Sequence, residues 1–201
     1  MAWIKTVAYR DAGENLKPLY DRVSGPDENV DNIMMAHSLR PHTLEGHMTL
    51  YKAVLHHYDN ELPKWILEVI GIYVSLLNGC AYCAEHHYAG LKRLMRDKER
   101  ARLIREALEA RRPYEALDRQ TARALDYAEK LTLDPRKVSK SDIEALREAG
   151  FKDGQILEIN QVTAYFAYAN RTVQGLGVDM DGDVLGRSPG NDADPDNWKH
   201  E

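Results

Sequence analysis

The sequence of 201 residues predicts an all-α protein. Between about Val30 and Gly175, apolar residues recur three and four positions apart, as they do along one face of a helix. Few stretches alternate apolar and polar residues, and recognisable helix start and stop signals recur along the chain. These patterns predict helices rather than a sheet.

The start and stop signals give the order of the predicted helices. Pro41 interrupts an early pattern, Asn78-Gly79 ends a helix that Pro63 opens, and Pro113 and Pro135 mark later connections. The predicted helices run from Thr43 to His57, Trp65 to Leu77, Cys80 to Met95, Asp97 to Ala110, Leu117 to Leu131, from a capping box at Ser141-Asp142-Ile143-Glu144 to Gly150, and from Ile156 to about Gln174, with Asp153 as its cap.

The length suits one domain over residues 1–201, with a helical core at 26–178. Residues 1–25 have weak periodicity and are predicted to be an N-terminal arm. Residues 179–201 are rich in Asp, Gly and Pro, and we expect a tail that is loose or lies over a partner subunit. A faint repeat relates Trp65-Ile66-Leu67-Glu68-Val69 to Gln155-Ile156-Leu157-Glu158-Ile159, as in a duplicated helical unit; chance similarity explains it equally well.

Composition excludes several classes of function. A net charge of -5, with basic and acidic residues interspersed, argues against a nucleic-acid partner. No apolar run approaches the roughly 20 residues of a membrane-spanning helix, so no membrane association is predicted. The start of the chain lacks the pattern of a secretory signal, and the expected compartment is the cytoplasm.

The chemistry is predicted to lie on the only two cysteines, Cys80 and Cys83. At a helix start, unpaired N–H groups stabilise a thiolate, and residues three apart are close enough to form a disulfide. His87 falls on the same helix face. Glu68 is the only charged residue between Lys64 and Glu85, and a lone buried carboxylate needs a partner, for which His87 and the thiols are candidates.

Other interpretations of these residues were weighed. Cys80, Cys83, His87 and Glu68 could form a metal site, but structural zinc usually adds further Cys or His ligands, so redox chemistry is favoured. The remaining polar and aromatic candidates receive no catalytic role: His56, His57 and His86 are interpreted as solvated or interface residues, Tyr73, Tyr82, Tyr88, Tyr165 and Tyr168 as core or pocket-wall residues, and Asn170 and Arg171 are unassigned.

The spacing from Glu68 through Cys80 and Cys83 to His87 resembles the signature of the alkylhydroperoxidase AhpD-like branch of the carboxymuconolactone decarboxylase family. The segments Ser75-Leu76-Leu77-Asn78-Gly79-Cys80-Ala81-Tyr82-Cys83-Ala84-Glu85-His86-His87 and Leu157-Glu158-Ile159-Asn160 look like its peroxidase-related subgroup. The resemblance implies an AhpD-like helical fold and homo-oligomers, often trimers or hexamers. The mycobacterial-type enzyme has a histidine where this chain has Tyr82.

For the site, the resemblance implies that Cys83 is the peroxidatic thiolate, that Cys80 is the resolving thiol, and that Glu68 and His87 form a proton relay. The chain would then reduce a small hydroperoxide and be restored by an external dithiol, such as a lipoyl or thioredoxin-like protein, without haem, flavin or metal. Two alternatives remain open: a lactone decarboxylase acting by acid-base chemistry, and a metal-binding or redox-sensing module.

Overall fold

A computed structural model describes residues 2–190, 194 and 196–200, and every regular element in them is helical, which confirms the all-α prediction. The helices are α1 Lys17–Val23, α2 Asn32–Met35, α3 Pro41–Leu55, α4 Lys64–Leu77, α5 Ala81–Met95, α6 Lys98–Glu109, α7 Arg119–Leu133, α8 Lys140–Glu148 and α9 Asp153–Leu176. Across the described residues, no helix is both long enough and apolar enough to span a membrane.

Helix α4 is the centre of the fold. Every residue from Ile66 to Ser75 is buried, because α4 packs against α5, α7 and α9. Gly71 makes the contact with α9 possible, since a Cβ atom there would lie 2.2 Å from Cε2 of Phe166. A residue that must lie on α4 is thereby held on several sides, which matters for Glu68.

Two predicted helix starts are displaced by a residue or two. The capping box of α8 is formed by Ser139, whose N–H donates to Asp142 Oδ2 at 2.7 Å, rather than by Ser141. Helix α9 is capped at Lys152, whose N–H donates to Gln155 Oε1 at 3.0 Å, so Asp153 is its first residue rather than its cap. Both errors are small because several polar residues precede each helix and any of them could cap it.

The prediction of an N-terminal arm over residues 1–25 is wrong for the second half of that range. Helix α1 buries Tyr20 and Val23 completely, and the Tyr20 hydroxyl donates to the Val7 carbonyl at 2.8 Å. The N–H of Trp3 donates to the Leu176 carbonyl at 2.8 Å, so the first residues reach the end of α9. A seven-residue helix is too short for its apolar period to stand out in the sequence.

The C-terminal segment, by which we mean residues 179–190, 194 and 196–200, packs on its own chain, whereas the prediction was a tail that is loose or lies over a partner subunit. It crosses α5, where Arg93 donates to the Gly186 carbonyl at 2.7 Å, and it reaches α3, where Lys52 donates to the Gly190 carbonyl at 2.6 Å. Trp198 is 2% exposed and lies under the guanidinium of Arg22. The segment is therefore packed on the core of its own chain. The duplication of α4 and α9 stays a prediction.

Candidate active site

The turn between α4 and α5 positions the two thiols. Gly79 has φ +68, a left-handed conformation that favours glycine, and it lets the chain reverse after Leu77. The N–H of Cys80 then donates to the Ser75 carbonyl at 2.8 Å, which places Cys80 at the N-cap of α5 and Cys83 in its first turn. Both cysteines are free thiols and buried, at 2% and 4% exposure.

One hydrogen bond joins the two thiols, and it shifts their pKa values in opposite directions. The bond from Cys83 lowers the pKa of Cys80 to about 7, and the N–H groups of Tyr82 and Cys83 at the helix start act in the same direction. The same bond, together with burial, raises the pKa of Cys83 well above its usual value. Of the two thiols, Cys80 therefore ionises more readily, whereas the resemblance implied a thiolate on Cys83.

Glu68 and His87 form a direct pair. Nδ1 of His87 lies 2.6 Å from Oε2 of Glu68, and the two side chains are 14% and 3% exposed. Gly90, one turn further along α5, lies against the same carboxylate, since a Cβ atom there would make an ordinary contact with Oε1 of Glu68 at 3.5 Å. Of the partners expected for the lone carboxylate, the structure assigns His87.

Asn170 is a part of the thiol site to which the sequence analysis gave no role. It is completely buried on α9, its Nδ2 donates to Ser75 Oγ at 3.1 Å, and its Oδ1 accepts from Asn78 at 2.9 Å. After the larger effect of the thiol–thiol bond, hydrogen bonding from Asn170 further lowers the pKa of Cys80. A polar residue inside an apolar helix was the available signal, but only the packing of α9 on α4 shows what it contacts.

A cavity of about 50 Å³ gives access to Cys83 but not to Cys80. Cys83, Glu68 and His87 all line it. The other lining residues come from the residue before α2, from α2, α3, α5 and α9, and from the C-terminal segment: Asp31, Ile33, Met34, His47, Met48, Tyr51, Tyr82, His86, Gly90, Tyr165, Phe166, Ala169, Gly186, Arg187, Ser188 and His200. A space of this size accommodates a few water molecules or a small polar group.

The inner wall of the cavity is aromatic and carries neutral histidines. The ring of Tyr51 lies 5.6 Å from that of Tyr165 and 6.2 Å from that of His200. Burial lowers the pKa of His47 to about 3 and that of His200 to about 4, so neither ring is charged at neutral pH. Nδ1 of His47 is buried without a hydrogen-bond partner, which leaves one polar atom on this wall free to contact a bound molecule.

Two histidines interpreted as solvated are in fact internal. His56 is completely buried, and the side chain of His86 is 11% exposed and lines the cavity. His86 Nε2 lies 3.2 Å from Oδ2 of Asp183, a residue of the C-terminal segment, in ion-pair range but without hydrogen-bond alignment. Adjacent residues on a helix point in different directions. For His86 and His87 both directions are covered, because α4 packs against His87 and the C-terminal segment packs against His86.

Within the described part of the chain, no group of three or more His, Cys, Asp or Glu side chains is arranged to hold a metal ion. The four residues weighed as a zinc site are instead two separate pairs, a thiol–thiol pair and a carboxylate–histidine pair.

Comparison with known proteins agrees with this geometry. Residues 41–130, which run from the start of α3 into α7, match the sequence profile of the carboxymuconolactone decarboxylase family. Over this segment the chain is similar to that family. The match includes all four residues of the predicted signature, Glu68, Cys80, Cys83 and His87. Among curated proteins, none matches the chain.

Solved structures extend the likeness beyond the matched segment. An uncharacterized peroxidase-related protein with an alkylhydroperoxidase AhpD core, from Ralstonia eutropha JMP134, is 22% identical with a TM-score of 0.77, over 92% of this chain and 96% of that chain. An uncharacterized peroxidase-related protein from Silicibacter sp. TM1040 is 27% identical with a TM-score of 0.69, over 77% and 78%. The predicted family resemblance and the AhpD-like fold are confirmed.

The same fold occurs in a protein that is named for a different activity. The debrominase Bmp8, solved in complex with 2,3,4-tribromopyrrole, is 16% identical with a TM-score of 0.69, over 88% of this chain and 91% of that chain. At this identity the likeness concerns the fold alone. The reaction of the present protein has to be argued from its own site.

Proposed function

We propose that this protein is a thiol-dependent hydroperoxide reductase that cycles through a Cys80–Cys83 disulfide. One observation carries the proposal: a thiol that faces a cavity is hydrogen-bonded to a second thiol of lowered pKa, and a buried carboxylate–histidine pair lines the same cavity. Two thiols supply the two electrons that cleavage of an O–O bond requires.

The roles of the cysteines follow from access. Cys83 lines the cavity, so a hydroperoxide reaches its sulfur, whereas Cys80 lies behind it against Asn170. Cys83 must first lose the proton that it shares with Cys80. The Glu68 carboxylate accepts the Nδ1 proton of His87, which leaves Nε2 as the basic nitrogen and stabilises the ring when it takes up that proton.

The proposed reaction has two balanced steps. The Cys83 thiolate attacks the terminal oxygen of the hydroperoxide, and the O–O bond breaks. The products are a sulfenic acid and an alkoxide, which becomes an alcohol by taking up a proton that balances the one Cys80 released on ionising. The Cys80 thiolate then attacks the sulfenic sulfur, the disulfide forms, and hydroxide leaves as water with the proton held on His87. An external dithiol, such as a lipoyl group or a thioredoxin-like protein, reduces the disulfide by thiol exchange.

The charge around the cavity favours a neutral substrate. Two carboxyl groups, Asp31 and Glu68, line it against one guanidinium, that of Arg187. A proton on His86 would balance the second carboxylate, so the lining suits a hydroperoxide, which is uncharged at neutral pH.

Single cysteine variants test the proposal. Treated with tert-butyl hydroperoxide, Cys80→Ser should consume about one equivalent and leave a sulfenic acid on Cys83 that dimedone traps and mass spectrometry locates, because no resolving thiol remains. Cys83→Ser should consume none. A sulfenic acid trapped on Cys80 in the Cys83→Ser protein would reverse the roles, and full activity of both variants would exclude the thiol mechanism.

The same proposal includes a homo-oligomer, as the family resemblance implies. Trp3, Tyr58 and Leu157 are large apolar side chains at 81%, 54% and 58% exposure, and contact between subunits would remove them from water. Light scattering should give a trimer or hexamer of the 22.9 kDa chain, and a mass equal to one chain would refute this.

A further inference from the structure

A second histidine–carboxylate pair lies on the cavity wall beside the thiols. Asp183 of the C-terminal segment has a side chain that is 2% exposed, and its Oδ2 lies 3.2 Å from His86 Nε2. The hydroxyl of Tyr82 donates to the same oxygen at 2.6 Å, and the N–H of Asn32 donates to Oδ1 at 3.0 Å. The rings of Tyr82 and His86 are stacked with centroids 4.5 Å apart. The carboxylate is thus fixed from three directions.

Negative charge is concentrated at this wall. Asp31 lies there as well: burial raises its pKa to about 6, the positive charge of His86 opposes that rise, and the charge of Asp183 adds to it. Buried carboxylates are costly unless a cation or donors offset them. His86 is in contact with Asp183 and faces the cavity, so a proton on its ring would offset these charges and lie beside the substrate.

The proposed reaction requires such a proton. Attack on a hydroperoxide expels an alkoxide, which is a strong base and a poor leaving group unless a proton reaches it in the transition state. The Glu68–His87 pair has at that moment just received the thiol proton and keeps it for the hydroxide that leaves later. A separate acid for the alkoxide is therefore needed, and His86 lines the cavity together with Cys83.

We propose that His86 is the general acid that protonates the departing alkoxide, and that Asp183 is the positioning residue that holds its ring. This inference rests on the proposed function. In the first step the S–O bond forms, the O–O bond breaks, sulfur supplies both electrons, and the proton moves from His86 to the leaving oxygen. His86 regains a proton from solvent, which replaces the one that Cys80 released on ionising.

The test compares two leaving groups in a single turnover of the fully reduced protein, so that no external reductant is needed. tert-Butyl hydroperoxide expels an alkoxide, whereas peracetic acid expels acetate, which needs no proton. His86→Gln should slow the reaction with tert-butyl hydroperoxide by about 10²-fold and that with peracetic acid by less than about threefold. His87→Gln, which affects the thiol, should slow both reactions by the same factor.

Asp183→Asn should show the same selectivity with a smaller factor, because the ring remains but its charge partner is lost. Asp196→Asn is the matched control: it removes another carboxylate of the C-terminal segment, one bound to Arg22 at 2.8 Å outside the cavity, and should leave both rates unchanged. Circular dichroism and thermal melting of every variant show whether it is folded.

The pH dependence of the single-turnover rate is a second measurement, and a purely structural role of His86 would leave its shape unchanged. With tert-butyl hydroperoxide the wild-type pH–rate profile should have an alkaline limb that is absent in His86→Gln, because glutamine supplies no acid to the leaving group. The charged and titratable groups that face His86 are Asp31, Asp183, Arg187, His200 and Tyr82, so the limb should persist in Asp196→Asn.

The outcomes separate the two proposals. If His86→Gln and Asp183→Asn slow both peroxides equally, His86 is not the leaving-group acid, although the thiol mechanism stands. If the wild-type protein reduces neither peroxide, the proposed function fails and the role of His86 fails with it.

Discussion

The adjacent residues His86 and His87 on α5 pair with carboxylates that come from two different kinds of structural element. His87 contacts Glu68 at 2.6 Å, a residue of the fully packed helix α4, while His86 contacts Asp183 at 3.2 Å, a residue of an irregular segment 97 positions further along the chain. Helix periodicity fixes the first pair as soon as α4 and α5 pack. The second pair exists only because the C-terminal segment docks, so equivalent chemistry at the two positions depends on different parts of the fold.

The second pair depends on a close approach at a glycine. Gly186, with φ +84, brings the C-terminal segment against α5, where a Cβ atom would lie 2.8 Å from the backbone carbon of Ala89. The first pair lies in a contact between helices that many residues hold. The second depends on a single point of close approach, and variants can therefore weaken the second pair alone.

The largest effect is expected from Glu68→Gln. His87 loses the charge that stabilises its protonated ring, so we expect single-turnover reduction of any hydroperoxide to slow by about 10²–10⁴-fold. The defect should shrink as the pH rises, because hydroxide then removes the thiol proton. Stopped-flow measurements from neutral to alkaline pH check this, and a defect that is constant with pH would show that Glu68 acts only on structure.

Asp31→Asn should affect stability near the second pair. Burial raises the pKa of Asp31 from 3.8 to about 6, so the folded protein binds this proton more tightly than the unfolded chain does. Stability then falls as the pH rises through the window between these values, and the penalty is complete above it. Asparagine cannot ionise, so Asp31→Asn does not carry this penalty. The free energy of unfolding of the variant minus that of the wild type should therefore be about 3 kcal/mol larger at neutral pH than at acidic pH.

Urea unfolding at pH values below and above this window measures the effect of Asp31→Asn. Other titrating groups cancel in the difference between the two proteins. The same difference in unfolding free energy at both pH values would contradict a raised pKa of Asp31.

Gly186→Ala should detach the C-terminal segment from α5 without disturbing Glu68 and His87. The matched control is Gly182→Ala, whose φ is +88 but whose Cβ would meet nothing within 4 Å. Both variants carry the strain of the left-handed conformation, and only Gly186→Ala adds overpacking of about 1–3 kcal/mol. Hydrogen exchange of the segment should accelerate accordingly; equal exchange in the two variants would mean that the close approach is unimportant.

Tyr82→Phe should give the smallest effect. It removes the hydroxyl that donates to Asp183 at 2.6 Å and accepts from the Ile33 N–H at 3.2 Å, for an expected loss of about 1 kcal/mol in thermal unfolding. Tyr168→Phe, at a side chain that is 41% exposed, is the control and should change stability by less than about 0.5 kcal/mol. If Tyr82→Phe loses no more stability than the control, the Tyr82 hydroxyl does not support the pair of His86 and Asp183.

Periodic parts of the chain were predictable from sequence. The apolar spacing located α3 to α9 to within a few residues, and the capping signals failed only in choosing among neighbouring polar residues, such as Ser139 and Ser141. The pairing of Glu68 with His87 was foreseeable as well, because a lone carboxylate in an apolar helix requires a partner and the next helix offers one.

The sequence by itself determined helices α3 to α9, the thiol pair at the start of α5 and the need for a partner of Glu68, because these depend on neighbours within a few residues or on one helix contact. Tertiary structure alone decided the burial of Trp198 and His56 and the approach of Asp183 to His86. The physical reason is that an irregular segment has no period of its own. Its residues become buried or charged partners only against a surface that distant helices have already formed.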